Sequence, residues 1–185
     1  MLKDEINAYI PFDEQEESDK EQFLKFIDTF DDVLTRNNIF GYFTASAFVV
    51  NKDRTRMAVI YHIINDGWAY PGEHADGCAD LLSVALREVE EETGLKASVL
   101  DNNIFGIVSA PVLGHIKRGK FVSGHIHFDC VYLMEADDTL PLKYRMDESK
   151  GVKWVDFKDA YDESFCDFVR PVHKRLIKKL NSRGV

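Results

Sequence analysis

Three carboxylates on one face of a short helix are the sequence feature that most restricts how this chain can fold. Glu88, Glu91 and Glu92 are spaced i, i+3 and i+4, so a helix places them one turn apart on a single face. Like charges at this spacing oppose the helix by roughly 0.2–0.5 kcal/mol per pair. A divalent cation would turn the repulsion into coordination, because carboxylate oxygens suit hard ions such as Mg²⁺. The alternative is a solvated acidic helix face.

The residues on both sides of these carboxylates predict a turn, a helix and a stop. The segment Trp68–Gly72 has the pattern of a strand end followed by a turn. Asp80 or a neighbour can cap the helix, and Gly94 is a good residue to end it. An apolar side is supplied by Leu81, Leu82, Ala85, Leu86 and Val89. A helix that buries one side and presents carboxylates on the other favours the metal interpretation.

The same run resembles the Nudix hydrolase box, G-x5-E-x7-R-E-U-x-E-E-x-G-U, in which U is aliphatic. The chain matches the second half of the box at Arg87, Glu88, Val89, Glu91, Glu92, Gly94 and Leu95. In the first half, Glu73 stands in the place of the box glycine and Ala79 in the place of the box glutamate. Glu73 would be strained if its backbone needs a positive φ. Asp76 or Asp80 could replace the missing carboxylate, directly or through water.

The resemblance implies a metal-dependent hydrolase that cleaves a phosphoanhydride in a nucleoside diphosphate linked to another group (NDP-X). It implies Mg²⁺ or Mn²⁺ as cofactor, with metal ligands that we expect at Glu88, Glu91 and Glu92. We expect Arg87 to order this cluster and Glu91 to take part in catalysis. Glu148 precedes Trp154 by a few residues, where Nudix hydrolases often carry a further metal ligand or the base that activates water. We therefore predict Glu148 as the general base, with an ordinary acidic loop as the alternative.

Two other functions on the same fold remain open. A Nudix ligand-binding domain without hydrolysis is favoured by Glu73 and Ala79, the two departures from the box. Isomerisation of isopentenyl diphosphate would need a cysteine and a glutamate opposed across a pocket. The three cysteines, Cys78, Cys130 and Cys166, offer no clear pattern for that chemistry.

Basic and titratable residues downstream of the box are candidates for substrate binding. Lys117, Arg118 and Lys120 lie in a glycine-flanked loop of an otherwise acidic chain, where they could grip substrate phosphate by charge-assisted hydrogen bonds. A solvated hairpin tip is the alternative. His127 alternates with His125 and Asp129 along a predicted strand, so the three share a face. We predict that His127 contacts substrate, with a histidine satisfied by hydrogen bonds in a polar layer as the alternative.

Composition limits the partners and the compartment. The net charge is −9 and there is no basic tail, which argues against long nucleic acids. The small phosphate or nucleotide substrate is what the resemblance to the Nudix family implies. No apolar run approaches the ~20 residues that a membrane helix needs, and the N-terminus does not resemble a signal peptide. Three widely spaced cysteines are typical of free thiols in a reducing cytoplasm, so a cytoplasmic protein is expected.

The hydrophobic pattern predicts an α/β protein. The chain has 185 residues, 45% of them hydrophobic, which suits one domain. Strands are expected at Phe43–Val50, Met57–Ile63, within Val99–Val112, at Ile126–Glu135 and at Gly151–Val155. Strands mixed with helices imply a mixed sheet between helical layers. The resemblance implies the same arrangement, a Nudix-type α/β/α sandwich with added N- and C-terminal helices, its core at about residues 40–160.

Both ends of the chain are predicted to be helical. Residues 1–38 form a helical N-terminal extension in which Ser18 and Glu21 have capping-box spacing. An apolar stripe follows at Phe23, Phe26, Ile27, Phe30 and Leu34. The stripe fits core contact and, as an alternative, a homodimer interface. A C-terminal helix is expected within residues 161–185, with Pro171 either opening or kinking it.

Overall fold

The computed structural model describes residues 2–63, 66–117, 119–144 and 149–183. The helices are α1 (Leu2–Ala8), α2 (Glu14–Thr29), α3 (Leu81–Thr93) and α4 (Val169–Ser182). The strands are β1 (Gly41–Val50), β2 (Arg56–His62), β3 (Gly67–Ala69), β4 (Gly72–His74), β5 (Ser98–Val99), β6 (Gly106–Val112), β7 (His115–Lys117), β8 (Lys120–Val122), β9 (His125–Glu135) and β10 (Ser149–Asp156). The strands predicted from the hydrophobic pattern correspond to β1, β2, β6, β9 and β10.

The main sheet is mixed, as the sequence predicts. Its strand order is β10-β2-β1-β9-β5, with β3 on β2, β4 on β1 and β6 on β9. The central pair β1 and β9 is parallel, and Gly41 faces Ile126 at its start. The pairs that β1 forms with β2 and β4, and that β9 forms with β5 and β6, are antiparallel. The hairpin β7–β8, which follows β6 and precedes β9 along the chain, forms a separate two-stranded sheet.

Helices cover both faces of the sheet, which confirms the α/β/α sandwich. Phe43 and Ala45 of β1 belong to a core cluster that also contains the buried apolar residues of α1, α2 and α3. Phe48 and Val50 of the same strand point to the opposite face. There they join a second cluster with α4. In the described ranges, no helix combines the length and apolar character needed to cross a membrane.

The N-terminal segment corrects two expectations. First, α2 begins before the predicted capping box, because Asp13 is the N-cap and its side chain accepts a hydrogen bond from the amide of Glu16. Second, the helix ends at Thr29, so residues 30–38 are not helical. Short polar side chains compete with helical hydrogen bonds in this stretch: Asn38 donates to Asp32 at 3.0 Å.

The apolar stripe of α2 packs within the chain. Phe23 and Phe26 are buried in the first core cluster, and Ile27, Phe30 and Leu34 pack against it. The core interpretation of the stripe is therefore confirmed. At the other end, Pro171 is the third residue of α4, where its missing N–H has no intrahelical acceptor in any case. Pro171 opens the helix.

Candidate metal and phosphate site

The box helix α3 has the local signals that the sequence predicts. Asp80 is the N-cap, and its Oδ1 accepts a hydrogen bond from the amide of Ser83 at 3.1 Å. Gly94 ends the helix in the left-handed region, with φ 71°, and its amide donates to the carbonyl of Glu90. The inner side is buried through Leu81, Val84, Ala85 and Val89. The helix therefore has a fixed start, end and rotation relative to the sheet.

The three carboxylates of α3 differ in exposure. Glu88 and Glu92 are buried, at 6% and 9% exposure, whereas the side chain of Glu91 is 41% exposed. Burial raises the pKa of Glu88, although the Arg87 guanidinium opposes the rise. Arg87 Nη2 donates to Glu88 Oε1 at 2.9 Å, and its Nε lies 3.8 Å from Glu91 Oε1. Of the cluster that Arg87 is expected to order, Glu88 is therefore held more closely than Glu91.

Glu92 is held by the strand that leads into the box. The amide of Gly72, the first residue of β4, donates to Glu92 Oε2 at 3.1 Å. The hydrogen bond joins β4 to the last turn of α3. It fixes the position of a carboxylate that the sequence predicts as a metal ligand.

The residue in the place of the box glycine is not strained. Glu73 lies in β4 opposite Ala45, and the described non-glycine residues with positive φ are Arg54, Asp66 and Asp76. The left-handed turn is formed by Asp76 and Gly77. Burial opposes ionisation of Glu73, but hydrogen bonds and charge from His74, together with the charge of Arg36, outweigh it and lower its pKa to about 2.

The aspartates considered as substitutes for the missing glutamate have other partners. Arg36 holds Asp76 in a bidentate pair, with Nε to Oδ1 at 2.7 Å and Nη2 to Oδ2 at 2.5 Å. Asp80 caps α3. The structure therefore gives Asp76 a role in shaping the turn and Asp80 a role at the helix start. Replacement of the missing glutamate by either of them stays a prediction.

The polar face that β9 was predicted to present is shared with β1. In the parallel register, Tyr42 lies opposite His127 and Thr44 opposite Asp129. Tyr42 Oη is 2.9 Å from His125 Nε2 and 3.2 Å from His127 Nε2. Burial and the neighbouring histidines lower the pKa of His127 to about 2, so His127 is uncharged near neutrality.

A second polar group lies deeper on this face. Asp129 is buried and accepts hydrogen bonds from Thr44, Ser46 and Tyr70. The sequence analysis did not single out these three partners. The alternation of Tyr42, Thr44 and Ser46 along β1 repeats that of His125, His127 and Asp129 along β9. That match was the available signal for a polar patch across the two strands.

The structure describes only some of the remaining predicted site residues. Lys120 begins β8, is exposed and pairs in register with Lys117. Arg118 and Glu148 lie outside the described residues, and so does the side chain of Lys117. The phosphate-gripping loop and the predicted base therefore stay predictions. Ser149, which follows Glu148, is buried and pairs with His62 at the start of β10.

The donor chemistry of α3 fits a hard divalent cation. In the parts of the chain that the structure describes, no three His, Cys, Asp or Glu side chains converge into a complete metal site. Mg²⁺ does not require one, because it keeps several waters and is usually bound by one or two carboxylates together with substrate phosphates. Glu88 and Glu92 are buried carboxylates on one helix face, and a cation there would offset the cost of burying them.

Comparisons with known proteins agree with this architecture. A family model described as NUDIX domain matches residues 42–180, from the start of β1 into α4. An RNA pyrophosphohydrolase of Pelagibacter ubique is 29% identical over 138 residues, covering 71% of this chain and 86% of the relative. A second RNA pyrophosphohydrolase, from Sphingopyxis alaskensis, is 22% identical over 142 residues, covering 73% and 89%.

Solved structures share the fold at low identity. The Nudix hydrolase RenU from M. Smegmatis is similar with a TM-score of 0.57 and 16% identity, covering 81% of this chain and 94% of that chain. A NUDIX family hydrolase from Clostridium perfringens is similar with a TM-score of 0.54 and 18% identity, covering 75% and 97%. The α/β/α arrangement is thus shared with solved Nudix structures.

Proposed function

The chain belongs to the Nudix family and is a pyrophosphohydrolase of that type, and from this premise we propose that it cleaves NDP-X compounds in a metal-dependent reaction. The bond broken is a phosphoanhydride, attacked by water at one phosphorus while the other phosphate leaves with its group. The observation that carries the proposal is the carboxylate face of α3, held against the start of the box by the Gly72–Glu92 hydrogen bond. The hydrogen bond brings Gly72, the residue just before the box, against Glu92 in the second half of the box.

The proposed roles follow from the chemistry of the side chains. Glu88, Glu91 and Glu92 would hold Mg²⁺ or Mn²⁺, which, when bound, neutralises phosphate charge and lowers the pKa of a coordinated water. Arg87 keeps the buried Glu88 carboxylate oriented through its guanidinium. Glu148 is the proposed general base, which takes the proton of the attacking water.

Substrate phosphate would be bound by positive side chains outside the acidic helix. Lys117 and Lys120 belong to the hairpin strands between β6 and β9, and Arg118 follows Lys117 in the sequence. The three supply local positive charge in a chain of net charge −9. His127 is a proposed substrate contact. Its pKa of about 2 means that it would act as a neutral hydrogen-bonding ring. We propose a small phosphate or nucleotide as partner and the cytoplasm as location; a homodimer is a further proposal.

A substrate panel tests the proposed function. It contains ADP-ribose, a nucleotide sugar, a dinucleoside polyphosphate, a modified nucleoside triphosphate and an RNA with a terminal pyrophosphate linkage. The RNA is included because two relatives carry the name RNA pyrophosphohydrolase. Each compound is incubated with Mg²⁺ or Mn²⁺, and the products are identified by mass spectrometry. Cleavage of an NDP-X compound between its phosphates supports the proposal, and preferred cleavage of RNA would replace the substrate class.

A ligand-binding domain without hydrolysis is the second candidate. It is favoured by Ala79, since the described aspartates near it are occupied by Arg36 and by the helix cap. Equilibrium binding measured on the same panel separates the two functions. A compound that binds at micromolar concentration, with no turnover at any metal concentration, would establish the binding domain and reject the enzyme.

A further inference from the structure

We propose that Asp129, buried beneath the polar face of β1 and β9, is a positioning residue that sets the place of Glu92 through Ser46 and Gly72. The proposal rests on the proposed function, because it treats Glu92 as a metal ligand. Asp129 itself lies in the middle of β9 and belongs neither to the box nor to the loops next to it. Its influence on the metal site would pass through β4, the strand that leads into the box.

Asp129 is anchored by three hydroxyl groups. Its Oδ1 accepts hydrogen bonds from Thr44 and Ser46, each at 2.8 Å, and its Oδ2 accepts one from Tyr70 at 3.0 Å. Only 4% of the residue is exposed. A buried carboxylate is tolerated when hydrogen bonds compensate its lost hydration. The same bonds fix the three donors that surround it.

Two of these donors, Ser46 and Tyr70, lie close to Gly72, the residue just before the box. Ser46 is opposite Gly72 in the antiparallel pair of β1 and β4. A Cβ added to Gly72 would lie 2.1 Å from Ser46 Oγ, so β4 passes directly against the serine and only glycine fits. Tyr70 stands two residues before Gly72, and the carbonyl of Pro71 between them accepts from the amide of Ala47 at 2.9 Å. Asp129 therefore constrains the backbone around Gly72 from two directions.

The last link reaches the predicted metal ligand. The Gly72 amide donates to Glu92 Oε2 at 3.1 Å. A carboxylate offers several acceptor positions on its two oxygens, so this hydrogen bond is compatible with coordination of an ion. Groups that orient metal ligands from behind commonly change metal affinity when they are altered. A shift of β4 would move the amide that holds Glu92.

A purely structural role for Asp129 predicts different behaviour. In that case its loss lowers stability and leaves metal affinity unchanged. Glu16 provides a matched control, because it is also a fully buried carboxylate with several partners. Those partners include the amide of Phe12 at 2.8 Å and Lys179 Nζ at 3.0 Å, in the region where α2 meets α4. Changing Glu16 likewise removes a buried carboxylate charge, and Glu16 has no described contact to β4.

The experiment measures Mn²⁺ binding to the full chain by electron paramagnetic resonance, without substrate, together with thermal unfolding. The variants are Asp129→Asn, Ser46→Ala, Tyr70→Phe and the control Glu16→Gln. We expect Asp129→Asn to weaken Mn²⁺ binding about tenfold or more, as is typical when a residue that orients a metal ligand is changed. Ser46→Ala and Tyr70→Phe should weaken it less. Glu16→Gln should lower the melting temperature and leave Mn²⁺ affinity at the wild-type value.

Any of four results would overturn the inference. One is Asp129→Asn with wild-type Mn²⁺ affinity and a lowered melting temperature, which would make Asp129 a structural residue only. If Asp129→Asn does not fold, Ser46→Ala decides, since it keeps the carboxylate, and an unchanged affinity there rejects the link to Gly72. A wild-type protein that binds no Mn²⁺ without substrate rejects the positioning role, because its carboxylates then hold no ion for Asp129 to influence, whereas the substrate panel decides the metal-dependent function separately. If the wild type binds Mn²⁺ and all four variants bind it with the same affinity, the positioning role alone is rejected.

Discussion

Glu90 and Glu92 are two residues apart in α3 and lie in different environments. Glu92 is buried and accepts a hydrogen bond from Gly72, whereas Glu90 is exposed. If Glu92 holds the metal, Glu92→Gln should keep the fold and lower turnover by at least ~100-fold through loss of a charge at the ion. Glu90→Gln is the control and should keep wild-type activity. Steady-state rates at saturating Mg²⁺ check this, and equal rates for both variants would remove Glu92 from the mechanism.

Ala79 leads to a prediction about metal requirement. Asp76 is paired with Arg36 and Asp80 caps α3, so a site without the box glutamate should bind metal weakly, since fewer anionic ligands lower affinity. Ala79→Glu should reduce the Mg²⁺ concentration for half-maximal activity several-fold. The exposed position of Ala79 leaves room for the longer side chain.

The same comparison tests the roles of the two aspartates. Asp80→Ala should destabilise the protein by about 1 kcal/mol, the usual cost of losing an N-cap, with little change in the Mg²⁺ requirement. Metal titrations and urea unfolding of Ala79→Glu, Asp76→Asn and Asp80→Ala separate the cases. A large rise in the Mg²⁺ requirement of Asp76→Asn, with unchanged stability, would mean that Asp76 supplies the missing charge.

At the scale of single elements, α4 joins the two ends of the chain through buried charges. Lys179 Nζ lies 3.0 Å from Glu16 Oε2, and both side chains are buried. Removing one partner of a buried pair typically costs about 3–5 kcal/mol when the other charge is left uncompensated. Here Arg175 Nε remains 3.6 Å from Glu16 Oε1, so Lys179→Met should lower the free energy of unfolding by less than that full cost but measurably in urea titrations. Lys174→Met on the exposed side of α4 should change it little, and similar effects of the two would contradict a buried ion pair.

His173 of α4 predicts how stability varies with pH. Burial lowers its pKa from 6.5 to about 4, while its Nδ1 is 2.7 Å from the carbonyl oxygen of Ala160. Between these values the unfolded chain binds the proton and the folded chain does not, so stability is full above about pH 6.5 and falls as pH approaches 4. The stability lost between about pH 6.5 and pH 4 through this one histidine is on the order of 3 kcal/mol. Urea unfolding from pH 4.5 to 7 should show a weaker slope for His173→Gln than for wild type.

The elements differ in how well the sequence predicted them. α3 carries its own cap, apolar side and stop, so local signals were sufficient. The end of α2 was predicted about nine residues too late because Leu34 continues the apolar stripe, although Asp32 and Asn38 bond each other instead of supporting a helix. The role of Asp76 could not be predicted, because its partner Arg36 is 40 positions away and reaches it only in the folded chain.

At the scale of the whole molecule, one face of the sheet depends on helices outside the family match. The match begins at residue 42, yet Phe23 and Phe26 of α2 pack on Phe43 and Phe128. Ring centroids are 5.4 Å apart for Phe23–Phe43 and 4.2 Å apart for Phe26–Phe128. A helical extension was predicted from the periodicity. The packing adds that α2 is one of the covering layers of the fold.

Removal of residues 1–38 should therefore prevent folding of the remaining chain. Loss of a single buried Phe side chain typically costs about 3–5 kcal/mol, and a domain has only about 5–15 kcal/mol of stability in total. The truncated protein should aggregate or lack a cooperative thermal transition. Ile39→Ser in the full chain is the control, because Ile39 is 72% exposed and its replacement should leave the melting temperature within a degree or two of wild type. A truncated protein that melts cooperatively at the wild-type temperature would show that the Nudix core is complete without α1 and α2.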